Sequence, residues 1–338
     1  MTNLQLLWFF LIGLLFSVFF FLEGFDYGVG MSLRLIAHNE DERGQLIQAI
    51  GPHWDGNEVW LITAGGAMFA SFPFWYASLF SGFYVVLFFI LFALILRGVS
   101  FEFRSHAISK GGKQLWGWAL TIGSLCAPFL LGVMFTDLVK GMPLDASGNI
   151  SGSVGDFINL FSIVGGVAVT LLCLLHGLNL IRLKLSGALK QRAQALAKVL
   201  YPVLFVGLVV FAGLLLWETD FFVKRPISSW AILILIVLFS VIATYGTYKD
   251  KDVLSFIFSG LTLMGVVALL FNGLFPRVMV GNNAANSILI KNATSTEYTL
   301  GVMTIVAVIL VPIVLAYTIW SYVIFNRRVP AKKVVNDK

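Results

Sequence analysis

Two short stretches of this chain gather the residue types that hold and pass protons. One is Glu23-Gly24-Phe25-Asp26-Tyr27-Gly28-Val29-Gly30; the other is Gly51-Pro52-His53-Trp54-Asp55-Gly56-Asn57-Glu58-Val59-Trp60. Glu23 and Asp26 are three residues apart, as are Asp55 and Glu58, so each pair shares a face if the segment is helical. Trp54 lies four residues before Glu58, which stacks it over that carboxylate. Four carboxylates on one membrane face repel one another, and shared protons relieve that repulsion. Such a cluster at the mouth of a helix bundle suits a proton entry or an ion site. A plainer reading also fits. Pro52 suits a first helical turn, Asp55 would complement the positive end of the helix dipole, and polar groups with Gly24, Gly28 and Gly30 could simply join membrane helices. The residues alone leave both readings open.

The elements that must position these groups are membrane helices. The chain has 338 residues, of which 59% are hydrophobic and 12% charged, with a mean hydropathy of +0.91. A soluble domain carries about 45–50% apolar and about 25% charged residues, so a soluble enzyme, a disordered chain and a disulfide-rich secreted domain are excluded. Continuous apolar runs rather than alternating ones exclude a β-barrel. Nine spans are expected, near 4–22, 55–75, 77–96, 116–136, 157–180, 199–217, 230–246, 253–275 and 300–325. No Lys or Arg precedes the first span, and Gly24-Phe25-Asp26 is a poor cleavage site, so it reads as a retained helix rather than a signal peptide. With nine spans, 18 of the 23 Lys and Arg fall on one side. The positive-inside rule then puts the C-terminus in the cytoplasm and the N-terminus outside. The net charge of +6 is explained by topology and anionic lipid, without nucleic acid.

Other candidates are weaker. Cys126 and Cys173 lie singly in apolar runs and make no disulfide, zinc or c-type haem pattern. His38 and His106 fall in gaps and are expected to be solvated; His176, at the end of the fifth span, reads as a satisfied interface histidine or a haem ligand. Gly65-Gly66 and Gly165-Gly166 read as close-packing positions. Asp137, Asp145, Asp156, Glu218 and Asp220 read as outer loop charges, and 276–299 as a longer surface loop, whose Asn292-Ala293-Thr294 matches a glycosylation acceptor by chance.

Glu23 to Gly30, Gly51 to Ala67 and Phe69-Ala-Ser-Phe-Pro73 closely resemble subunit II of the cytochrome bd quinol oxidases, and Phe80-Ser-Gly-Phe-Tyr84 and Arg97-Gly-Val-Ser-Phe-Glu-Phe-Arg104 continue the match. The resemblance implies an all-α integral membrane protein of nine transmembrane helices, two four-helix bundles plus one extra helix. It would form a single membrane domain: 1–140 the first bundle, 150–275 the second, 300–325 the ninth helix and 326–338 a cytoplasmic tail. It implies a subunit of an enzyme that oxidises quinol and reduces O2 to water in a bacterial cell membrane. Haems b and d would sit in subunit I, the heterodimer partner, and this chain would carry no haem. Small single-span subunits and a structural quinone or lipid are compatible with the resemblance. By position in the motif, Asp55 starts a cytoplasmic proton path, Trp54 and Asn57 line it, and Asp26, Glu23 and Glu58 support it. Tyr27 and Ser71 have no functional reading. Two rivals differ in class: a proton-coupled secondary transporter using the same acidic cluster, and a cytochrome in its own right with His53 and His176 as ligands.

Overall fold

The structure, a computed structural model, describes residues 1–152 and 154–324. The expected tail 326–338, with five of the 23 Lys and Arg, lies outside them. The helices are α1 (Asn3–Leu35), α2 (Glu40–Ile50), α3 (Trp54–Ser71), α4 (Pro73–Gly82), α5 (Tyr84–His106), α6 (Lys110–Lys140), α7 (Leu160–Lys184), α8 (Ala188–Glu218), α9 (Phe221–Lys224), α10 (Pro226–Tyr248), α11 (Asp252–Leu274), α12 (Ile290–Ala293) and α13 (Glu297–Ile324). Among the described residues, eight helices are long and apolar enough to cross a membrane: α1, α5, α6, α7, α8, α10, α11 and α13. The expected second span, 55–75, is instead α3 and the start of α4. Pro73 has no N–H to donate to a carbonyl one turn back, and it pushes Phe72 off helical geometry, to φ −132° and ψ 63°. The third span also shifts, from 77–96 to α5.

The first helix is longer than expected. A capping box between Thr2 and Gln5 starts it, and its 33 residues rise about 50 Å, well beyond a hydrocarbon core of about 30 Å. Glu23 and Asp26 therefore lie within the helix rather than at its end. α1 is central and packs against α3, α6, α7 and α11. Gly28 of α1 meets Gly177 of α7 so closely that a Cβ on Gly28 would stand 2.7 Å from the Gly177 Cα, so only glycine permits this crossing. A second crossing joins Gly132 of α6 to Gly165 and Gly166 of α7, where a Cβ on Gly132 would stand 2.8 Å from the Gly166 Cα. Gly65 and Gly66, expected to behave alike, have no side chain or neighbouring backbone within 4 Å of a built Cβ among the described residues. They line an open face of α3.

The segment after α11 is not merely a surface loop. β1 (Arg277–Met279) pairs antiparallel with β2 (Ile288–Leu289), and Val278, Met279, Ile288 and Ile290 are buried. Alternation of apolar residues with Asn and Ser hid this cap from a composition-based reading. On the opposite end of the molecule, α2 is tied down by ion pairs, Glu40 to Arg104 at 2.6 Å and Glu42 to Arg192.

Candidate buried proton site

The first acidic stretch lies on α1, the second at the start of α3, and both meet α5 and the last turn of α13. Glu23, Asp26 and Arg97 are fully buried. Arg97 Nη1 pairs directly with Glu23 Oε1 and stands 3.7 Å from Glu58 Oε2. The Arg97 guanidinium lies 4.9 Å from the Tyr27 ring and 5.7 Å from the Phe101 ring, a cation–π arrangement that orients it. Asn57 donates through Nδ2 to Asp26 Oδ2 at 2.7 Å and to the Leu22 carbonyl at 3.3 Å. Tyr322 donates its hydroxyl to Asn57 Oδ1 at 2.7 Å, and its ring stacks on His53 at 4.1 Å.

Glu23 and Glu58 thus converge on one guanidinium, Asp26 lies beside them held by Asn57, and Asp55 stays apart. Asp55 is exposed and accepts the Gly56 N–H at 2.8 Å. It sits one turn before Glu58, so it stands at the rim of the cluster rather than inside it. Trp54 does not stack over Glu58; it stacks on Phe101 of α5 at 4.6 Å, closing one side of the site. The cation is the feature a reading of the two motifs alone leaves out. Arg97 and Arg182 fall just past the ends of the expected third and fifth spans, yet both are fully buried. Tyr322 gave no local signal, because the helix around it is apolar on every side and only tertiary contact selects it.

A cluster of three carboxylates and one guanidinium carries excess negative charge unless a proton binds. Glu23 Oε2 and Asp26 Oδ1 accept no hydrogen bond among the described residues. Buried oxygens of this kind are costly when ionised and unpaired, so the arrangement suits holding a proton and passing it.

A second buried polar cluster was not anticipated. Arg182 donates to Thr247 Oγ1 at 2.9 Å and pairs with Asp252 at 2.9 Å, and Lys190 reaches the same carboxylate at 2.5 Å. Its two cations outnumber its carboxylate, the reverse of the first cluster. His176 uses both ring nitrogens, with Ser259 Oγ at 2.8 Å and the Phe21 carbonyl at 2.9 Å, and stacks on Phe256. That is the satisfied histidine. His38 and His106 are exposed, as expected. Cys126 and Cys173 are free thiols. Asp137 departs from expectation: it is buried at the end of α6, where Asn159 donates to it at 2.7 Å. Asp220 is no plain loop charge either, since Arg277 and Lys224 both pair with it. Among the described residues no group of three or more His, Cys, Asp or Glu is arranged to hold a metal.

Comparison with known proteins adds three findings. The family model for cytochrome bd terminal oxidase subunit II matches residues 4–325. The chain is 46% identical over 334 residues to cytochrome bd ubiquinol oxidase subunit 2 of Bacillus subtilis (strain 168), covering 98% of this chain and 99% of that relative. It is 34% identical over 353 residues to cytochrome bd-I ubiquinol oxidase subunit 2 of Escherichia coli (strain K12), covering 94% and 93%. A chain in the solved structure of the bd oxidase from Geobacillus thermodenitrificans superposes with a TM-score of 0.75 at 15% identity, over 96% of this chain and 99% of that one, which shows a shared fold.

Proposed function

The chain belongs to the cytochrome bd terminal oxidase subunit II family, and from that premise we propose that it is the haem-free subunit II of a bd-type quinol:O2 oxidoreductase. It packs on a haem-bearing subunit I and supplies a path for cytoplasmic protons to O2 reduction. The observation that carries the path is the set of buried Glu23 and Asp26 and half-buried Glu58 around Arg97, with Asn57 on Asp26 and Asp55 at the exposed rim. Protons enter at Asp55, pass by Asn57 and Trp54 at the mouth, and reach Asp26 and Glu23, from which they leave toward the partner subunit.

The same reading takes α3 with α4 as a ninth crossing and groups the helices as two bundles plus α13. The basic residues favour a cytoplasmic C-terminus and an outer N-terminus in the bacterial cell membrane. Haems b and d then belong to subunit I; the engagement of both His176 nitrogens supports that assignment. Small single-span subunits, and a structural quinone or lipid, fit the exposed apolar faces of α8 and α13. Family membership leaves the transporter reading without support.

The test is Asp55→Asn in the assembled oxidase. Quinol-driven O2 consumption should fall while haem content and subunit stoichiometry stay as in the parent. Unchanged turnover overturns the entry role, and loss of haem would make Asp55 a structural residue instead.

A further inference from the structure

A groove of about 610 Å³ runs between α1, α10 and α11, on the side of the molecule away from the acidic cluster. Phe9, Phe239, Phe271 and Phe275 wall it, and Gly13 and Gly265 lie along it, where a Cβ would press on Phe271 at 2.9 Å and on Ile236 at 2.8 Å. On α1 it extends from Leu6 to Ser17, a rise of about 17 Å at about 1.5 Å per residue. One leaflet of a hydrocarbon core of about 30 Å is about 15 Å deep, so the groove is one acyl chain long and ends near the bilayer middle. The flanking face of α10 exposes Ile234, Leu235 and Leu238, which keeps the groove continuous with an apolar, membrane-facing surface.

One end of the groove carries a cation. Arg225 caps the start of α10, and its guanidinium lies 4.6 Å from the Phe275 ring. Among the described residues Arg225 forms no ion pair: the nearby Asp220 is occupied by Arg277 at 2.6 Å and by Lys224 at 2.6 Å. A guanidinium at the headgroup level, unbalanced by any carboxylate, is matched by a phosphate of net negative charge.

We propose that this groove binds one anionic phospholipid, with an acyl chain along Phe9, Gly13 and Gly265 and its phosphate on Arg225. A zwitterionic lipid would fill the groove equally but would not complete the charge. The site is independent of the proton path and does not rest on it.

The experiment uses the assembled oxidase, delipidated in detergent and titrated with phosphatidylglycerol or phosphatidylcholine, with bound lipid counted by native mass spectrometry. The parent should retain one phosphatidylglycerol about fivefold more tightly than phosphatidylcholine, which corresponds to about 1 kcal/mol. Arg225→Gln should abolish that preference, and Arg225→Lys should restore most of it. Ala268→Phe, which fills the groove and leaves the charge in place, should lose the lipid of either kind. Equal affinity of the parent for both lipids overturns the proposal, as does retention of the phosphatidylglycerol by Ala268→Phe. Release of a quinone rather than a phospholipid from Ala268→Phe overturns it too. Should Arg225→Gln fail to assemble, the parent comparison and Ala268→Phe decide the matter.

Discussion

Tyr322 and Asn57 are 265 residues apart, yet the tyrosine hydroxyl donates to the Asn57 side-chain oxygen at 2.7 Å while the Asn57 amide nitrogen donates to Asp26 at 2.7 Å. The last described helix is otherwise loosely held, with most of its surface exposed. It is fastened near its two ends, by Trp8 donating to Leu300 and Thr304 at one and by Tyr322 at the other. The acidic site therefore depends on a helix that packs chiefly through a few polar contacts. Tyr322→Phe should cost about 1 kcal/mol, the net worth of a typical hydrogen bond. Faster hydrogen exchange in the second half of α13, with α1 unchanged, is the expected signature; unaltered exchange would show that the bond holds nothing in place.

Arg97 is the only cation in contact with Glu23 and Glu58 among the described residues. Removing one member of a buried ion pair costs about 3–5 kcal/mol, because the other charge is stranded. Arg97→Leu should therefore reduce assembled oxidase severely. Arg97→Lys should recover only part, since a compact ammonium cannot reach Glu23 and lie flat on Tyr27 together. Yield and thermal inactivation of the complex measure both, and full recovery by lysine would count against the guanidinium geometry.

Gly28 and Gly177 touch backbone to backbone, so neither neighbour can rotate away from an added methyl group. Overpacking of this kind costs about 1–3 kcal/mol or more. Gly28→Ala should lower the inactivation temperature of the complex clearly, whereas Gly66→Ala, on the open face of α3, should leave the isolated fold unaffected. The two variants compared in one thermal assay separate packing from mere substitution.

His176→Phe should leave the haem spectrum of the complex intact. The phenyl ring keeps the stack on Phe256, and the expected loss is that of two buried hydrogen bonds, about 1 kcal/mol each. A missing haem band would revive a ligand role for this histidine.

Glu42, on the α2 segment beside the membrane, illustrates pH dependence. Partial burial pushes its carboxyl up, but the hydrogen bond and charge of Arg192 and the His38 backbone N–H outweigh it and hold it below its ordinary range. A carboxylate depressed in the folded state stabilises above its unfolded pKa of about 4.3, and that contribution is lost as pH falls through the lower folded value. Docking of α2 should thus be constant from neutral pH down to about 4.3 and loosen below it, visible as faster exchange in residues 40–50. Glu42→Gln should remove part of the acid dependence, the remainder belonging to Glu40, whose carboxyl Arg43 and Arg104 hold down against the upward push of burial.

The sequence by itself determined that this is a helical membrane protein and which motifs carry acid. Scarcity of charge makes each charged residue conspicuous: the carboxylates at 23, 26, 55 and 58 were visible from their spacing alone. Tertiary structure decided which of them share a site. A helix face states what a residue could meet but not what comes to meet it, so Arg97, just past the expected third span, proves to be the cation of the cluster, and Asp55, grouped with the other three, stays at its rim. The break at Phe72-Pro73 followed from covalent geometry and could have been read locally. The partnership of Tyr322 with Asn57 could not, because an apolar helix in an apolar bilayer gains little from any one rotation, and a single hydrogen bond formed across 265 residues selects it.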